Sequence, residues 1–178
     1  LAPASVDAHE PQVAMDPAGN AIVVWSRHEN YQSSLWANRF TTAGGWGSAV
    51  ALPGADGGFS SEIAMDRAGN AIVVWGRFQE DGFYVWATHF SAGRWESPVS
   101  LGGSNGYSST QAQISVEAQG DAIAVWEKRT AHGPHERSEI SANRYVAGIG
   151  WGGEVVFDYA GFHWGPSVAI SPAREALL

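Results

Sequence analysis

A twelve-residue phrase occurs three times in this chain. Ala14-Met15-Asp16-Pro17-Ala18-Gly19-Asn20-Ala21-Ile22-Val23-Val24-Trp25 returns almost letter for letter from Ala64 to Trp75, and in altered form from Ser115 to Trp126. The tryptophans that close it, Trp25, Trp75 and Trp126, fall 50 and then 51 positions apart. A fixed period of that length marks an array, in which each copy is one supersecondary unit that buries its apolar surface only against its neighbours.

Within one period the turn signals separate four extended segments. In the first copy these are Gln12 to Met15, Ala21 to Trp25, Leu35 to Phe40 and Trp46 to Leu52. Asp16-Pro17-Ala18-Gly19-Asn20 lies between the first two as a tight turn whose Gly and Asn accept positive φ. The second segment is apolar on both faces, which suits a strand sandwiched between two other sheets. The second copy reads Glu62 to Met65, Ala71 to Trp75, Tyr84 to Phe90 and Trp95 to Leu101; the third reads Gln113 to Val116, Ala122 to Trp126, Ile140 to Tyr145 and Trp151 to Phe157. A fourth copy opens at Pro166 to Ile170, and its Ser171-Pro172-Ala173-Arg174-Glu175 fits a hairpin turn or a capped helical turn equally well.

Four-stranded antiparallel units repeated at this length are the units of a β-propeller. The expected fold is therefore all-β, with blades at about 11–54, 61–104 and 111–158 and a partial fourth repeat at 165–178, in a single repeat domain. The period excludes leucine-rich and helical repeats; a β-sandwich has no need of the same hairpin three times. Propellers commonly close with four to eight blades. Three blades and a fragment leave open faces and edges, so self-association as a homodimer or higher, or membership of a longer array, is expected.

The phrase D-x-x-G-N-A-hydrophobic-x-V-W, here Asp16 to Trp25 and Asp66 to Trp75, resembles a loose class of bacterial extracellular propeller repeats. More distantly it resembles the Asp-box hairpins of sialidases and the seven-bladed lectin propellers. The resemblance covers nearly the whole chain and implies architecture more than activity. The third copy departs from it, with Glu117 and Asp121 in place of Asp and Asn.

Composition narrows the functional classes. The formal charge is −8, from 10 basic and 18 acidic residues. With no Lys/Arg cluster to offset that charge, nucleic acid is an unfavourable partner. No apolar run is long enough to insert into a bilayer as a helix. The absence of cysteine excludes disulfides and thiolate chemistry. Leu1 does not read as a native start, and a mature or excised piece of a secreted or cell-surface protein is the expectation.

Candidate binding residues fall in two sets of loops expected to share one end of the blades, those joining strands two and three and those joining one blade to the next. From them the ligand-binding candidates are Glu29, Asn30, Tyr31, Phe59, Glu80, Asp81, Tyr84, Tyr107, His135, His163 and Trp164. An apolar ring packs on a pyranose face while Asp, Asn, Glu and His hold the hydroxyls, so this mixture points to glycans. The alternative role for rings such as Phe59 and Trp164 is to plug gaps between blades. Trp25, Trp75, Trp126, Trp46, Trp95 and Trp151 have strand register and are expected in the core.

Catalytic and metal chemistry have thin support. Arg27, Arg77 and Lys128 are repeat-equivalent and point into three blades, unlike a sialidase arginine cluster, and no tyrosine nucleophile with a partner glutamate is assignable. The Asp16 and Asp66 turns offer one carboxylate each, too few for calcium. His132 and His135 form only a weak metal motif. The expected function is thus a carbohydrate-binding, lectin-like module without catalysis, cofactor or metal; the alternatives are a structural or protein-interaction propeller and a sialidase-like hydrolase.

Overall fold

Asp16 closes the hairpin that starts each repeat. Its Oδ1 accepts the Asn20 backbone N–H at 2.9 Å and its Oδ2 accepts the Asn20 side-chain amide at 2.7 Å. Gly19, at φ 83°, turns the chain between them. The second copy repeats the arrangement with Asp66, Gly69 and Asn70, both bonds at 2.8 Å. In the third, Asp121 takes the asparagine position: it accepts the Ala147 N–H at 3.0 Å, as Asn20 accepts that of Thr42 at 3.2 Å, and pairs with Arg144 at 3.2 Å. In the first and third repeats the turns that look bland in sequence therefore clamp the first hairpin to the end of the third strand.

The computed structural model describes residues 7–79, 82–104, 112–132, 135–157, 166–170 and 176–177, and these are all-β, with no helix among them. The first sheet comprises β1 (Asp7–Met15), β2 (Ala21–Glu29), β3 (Gln32–Thr41), β4 (Gly45–Trp46) and β5 (Val50–Asp56). The second comprises β6 (Gly58–Met65), β7 (Ala71–Gln79), β8 (Gly82–Ser91), β9 (Arg94–Trp95) and β10 (Val99–Ser104). The third comprises β11 (Gln113–Val116), β12 (Ala122–His132), β13 (His135–Val146), β14 (Gly150–Trp151) and β15 (Val155–Phe157). A two-stranded piece, β16 (Ala169–Ile170) with β17 (Ala176–Leu177), follows.

Each large sheet is an antiparallel meander in which the expected fourth strand is broken in two, both parts pairing with the third. The strands also run past their expected ends. β1 reaches back to Asp7 across a bulge at Glu10, φ 51°, and β6 repeats that bulge at Ser60, φ 49°. Asp7 to His9, which precede the first expected strand, thus pair with β2. In the fourth copy Ile170 pairs with Ala176, the register of Met15 with Ala21, Met65 with Ala71 and Val116 with Ala122. This is a hairpin of the same pattern; its turn, 171–175, lies outside the described residues.

The apolar residues of β2, β7 and β12 sort onto two faces. One core joins Ile22, Val24, Leu35 and Leu52 of the first sheet to Ile63, Val73, Trp75 and Phe90 of the second. A second core joins Ile72, Val74, Val85 and Leu101 of the second sheet to Ala122, Ala124 and Trp126 of the third. The middle sheet is consequently buried on both faces, and Val73, Val74 and Trp75 expose nothing. At one edge the first strands of successive sheets are stitched together: Glu10 Oε2 accepts the Ser60 N–H at 3.1 Å, Gln113 Nε2 donates to Glu62 Oε1 at 3.4 Å, and Ile170 N donates to Ser115 Oγ at 3.3 Å.

The repeat tryptophans divide by position in the stack. Trp75 and Trp126 are core. Trp25 is half-buried and Trp46 is 57% exposed, because among the described residues no sheet covers that side of the first one. Trp75→Ala should therefore cost about 3–5 kcal/mol in urea denaturation, and Trp25→Ala distinctly less; equal costs would place both in equivalent cores. The hydrogen bond from the Asn20 side chain, ahead of burial, holds the Asp16 carboxyl below its ordinary 3.8. Its charge therefore stabilises the fold above pH 3.8, and that stability is lost as pH falls through the lower folded-state value. Asp16→Ala should lower the thermal midpoint at pH 7, by an amount that shrinks on acidification below 3.8; a pH-independent difference would assign the loss to packing alone.

Candidate functional site

The β2–β3 hairpin tip is a two-residue turn, Asn30-Tyr31, with Glu29 paired to Gln32 on either side. Both turn residues have positive φ, 51° and 64°, the type I′ geometry that fits the twist of a hairpin. Asn is favoured there, but the second position is one that glycine ordinarily fills. Tyr31 occupies it with a side chain fully in solvent. A large ring held in left-handed backbone with no packing to compensate is strain kept at an exposed point, the kind of outlier that gathers at binding sites.

The crossover between sheets lies at the same end. The chain passes from β5 to β6 through Gly57, whose N–H donates to Ser33 O at 2.7 Å, and the Ser33 hydroxyl donates to the Gly58 carbonyl. Gly58 has to be glycine: a Cβ there would stand 2.9 Å from Trp75 and 3.1 Å from Leu35. The hairpin tip and the crossover enclose a cleft of about 920 Å³, lined by Glu29 to Ser34, Asp56, Gly57, Arg77 and Phe78. That volume is in the range of small-molecule sites.

Its chemistry is mixed. Glu29 Oε2 accepts from Arg27 at 2.9 Å, and Arg27 in turn lies 4.6 Å from the Trp36 ring centre. Arg77 donates to the Gly54 carbonyl at 3.2 Å and lies 5.9 Å from the Trp86 ring. Phe78, 64% exposed, stacks on Phe59 at 5.3 Å and meets Phe83 edge-on at 5.4 Å. The cleft thus presents Tyr31 and Phe78 as rings, Glu29 and Asp56 as carboxylates, Arg77 as a cation, and the amides of Asn30 and Gln32.

Among the residues singled out in sequence, Glu29, Asn30 and Tyr31 come together on this cleft. Phe59 packs behind it, 5.4 Å from Phe83 and against the second core. Tyr84 stands across from Arg77 on β8, half-buried, and off the cleft wall. His135 lies on β13 opposite His132. Glu80, Asp81, Tyr107, His163 and Trp164 lie outside the described residues. Asp56, Arg77 and Phe78 line the cleft without having been selected. The signal for Asp56 was its place in the crossover; Arg77 and Phe78 lie past the expected strand end at Trp75, and the structure places them on β7.

The three repeat-equivalent cations take separate partners, Arg27 on Glu29, Arg77 on the Gly54 carbonyl and Lys128 on Glu154 at 3.6 Å, so they do not converge. Among the described residues no group of three His, Asp or Glu side chains is placed to hold a metal ion. Tyr31→Gly should raise the thermal midpoint by relieving left-handed backbone, a cost of roughly 1–2 kcal/mol in an L-residue that glycine's own chain entropy partly offsets. A lower midpoint would mean that the ring packs.

No protein-family model matches the chain, and no curated protein matches it.

Proposed function

We propose that this chain is a carbohydrate-binding, lectin-like β-propeller module without catalysis. Its three sheets serve as successive blades, and its ligand is held at the hairpin end of the stack. The propeller reading is supported by the order of the sheets, each covering the next, and by the first strands lying side by side along one edge as they do around a central axis. The observation that carries the glycan reading is Tyr31: a ring in full solvent, in glycine's backbone conformation, at the rim of a cleft of carboxylates and amides.

Such a cleft suits a sugar. The Tyr31 and Phe78 rings offer apolar planes for pyranose C–H faces, while Glu29, Asp56, Asn30 and Gln32 accept or donate to hydroxyls. A neutral ligand avoids the cost of stripping water from a charge against two carboxylates and one guanidinium. A secreted or surface setting gives such a module access to glycans.

Tyr31→Ala and Asp56→Asn should each abolish binding on a glycan array by at least tenfold while the circular dichroism and thermal midpoint stay within a few degrees of the parent chain. The glycan should be recovered intact. Binding that survives both substitutions would remove the cleft from consideration, and a parent chain that binds no glycan would leave the scaffold alternative.

A further inference from the structure

A second cavity, of about 390 Å³, opens between the first two sheets near the clamped end of β3 and shares no lining residue with the hairpin-end cleft. Asn38, Arg39, Ser48, Phe90, Arg94 and Trp95 carry its chemistry, and the rest of its wall is aliphatic or glycine. Two of the chain's 10 basic residues stand in this wall, and none of its 18 acidic ones does. The Arg39 guanidinium lies 5.5 Å from the Phe90 ring centre, which leaves its edge N–H groups free to donate. Asp16 feels the Arg39 charge, but its carboxylate is bonded to Asn20. Among the described residues neither Arg39 nor Arg94 makes an ion pair or a hydrogen bond through its side chain.

The other two repeats show what the Arg39 position is ordinarily given. In the second it is His89, which pairs with Ile72 as Arg39 pairs with Ile22 and lies against Tyr145 as Arg39 lies against Phe90. Glu96 Oε1 stands 3.5 Å from the His89 ring. In the third repeat the position is Arg144, bonded to Asp121 at 3.2 Å. Each thus has a carboxylate from its own repeat. The first repeat lacks both: Gly47, whose N–H bonds the Arg39 carbonyl as that of Glu96 bonds His89, replaces the glutamate, and Asn20 replaces the aspartate.

The facing sheet departs from the pattern in the opposite direction. Arg94 pairs with Ser91 in the register where Gly45 pairs with Thr41 and Gly150 with Val146, so a base stands where the other repeats have glycine. A shortened turn brings it there. Ala92 and Gly93, at φ 48° and 79°, make the connection in two residues, where the other two sheets use three. Glu96, although next to Trp95, directs its carboxylate away, to Ser91 at 2.7 Å and to His89. Two acids absent and one base added therefore meet at one cavity.

We infer that this cavity binds a small hydroxylated carboxylate, a sugar acid of the uronic type, whose carboxylate sits between Arg39 and Arg94 as Glu96 sits beside His89. Guanidinium forks match a carboxylate through charge-assisted hydrogen bonds. The Asn38 amide and the Ser48 hydroxyl suit a hydroxylated body, and the aliphatic wall suits its C–H face. In a chain of net charge −8 an anion is held only where local positive charge outweighs the whole. The site is separate from the Tyr31 cleft and does not depend on what that cleft binds.

Calorimetric titration of the whole chain at low ionic strength should show glucuronate binding, with glucose and acetate each weaker by about tenfold or more, because each offers half of the recognised chemistry. Arg94→Gly installs the residue of the other repeats at an exposed position, and Gly47→Glu installs the carboxylate of the second. Gly47 has no left-handed φ, and a Cβ there would come no closer than 3.4 Å to its neighbours. Each variant should weaken glucuronate by about tenfold or more with unchanged circular dichroism. Should Gly47→Glu disturb folding, Arg94→Gly carries the test alone. Tyr31→Ala should leave glucuronate binding as it was. Glucose or acetate binding as tightly as glucuronate, or affinity that survives Arg94→Gly, would overturn the inference. Loss of glucuronate with Tyr31→Ala would overturn it too, by moving the acid to the hairpin-end cleft. A parent chain that binds no glucuronate also overturns it, and leaves the reading of that cleft untouched.

Discussion

A sheet that is apolar on both faces is not stable as a single layer. Everything else in this molecule follows from the fact that β2, β7 and β12 each carry hydrophobic residues at consecutive positions and so have no solvent side to offer. The middle sheet meets the requirement fully, with Val73 and Val74 facing opposite neighbours and both completely buried. The stack is held at nearest-neighbour contacts only, so its stability is close to a sum over sheets and the interfaces between them. The first sheet is incomplete for the same reason that the second is complete.

Most of the architecture was legible in the sequence, because period and turn chemistry are local. Asp16, Gly19 and Asn20 announce a tight turn, and the turn forms. The strand edges were not legible. Asn30-Tyr31 carries no glycine, so the chain there reads as a polar loop when it is the two-residue tip of a ladder that runs to Glu29 and Gln32. The bulges at Glu10 and Ser60 equally conceal that Asp7 to His9 belongs to a strand. In both places an L-residue takes a left-handed conformation that propensity alone argues against.

The candidate site was half legible. Exposed rings beside carboxylates at Glu29, Asn30 and Tyr31 stood out as a chemical mixture. Arg77 and Phe78 join them only because the second sheet is turned against the first, a tertiary relation that no local pattern encodes. Phe59 shows the converse: a ring next to a glycine-rich crossover looks available in sequence, but the space that Gly76 leaves open on β7 lets it cluster with Phe78 and Phe83. Of the six tryptophans expected in the core, Trp75 and Trp126 are buried, Trp25, Trp95 and Trp151 are half-buried and Trp46 is exposed, because burial depends on place in the stack as well as on register.

The third repeat has longer central strands than the others. Its central strands are 11 and 12 residues long, against 9 and 10 in the first two, while the register at the aspartate end is the same in all. Length has been added where the hairpin projects beyond the layers, and none where the sheets touch. The two ends of each sheet are therefore held differently: one is fixed by a side-chain clamp and by packing, and the other has lengthened in the third sheet without altering the register at the clamped end. An array built this way can vary its outer tips repeat by repeat, presenting a different surface from every sheet on a framework that stays constant.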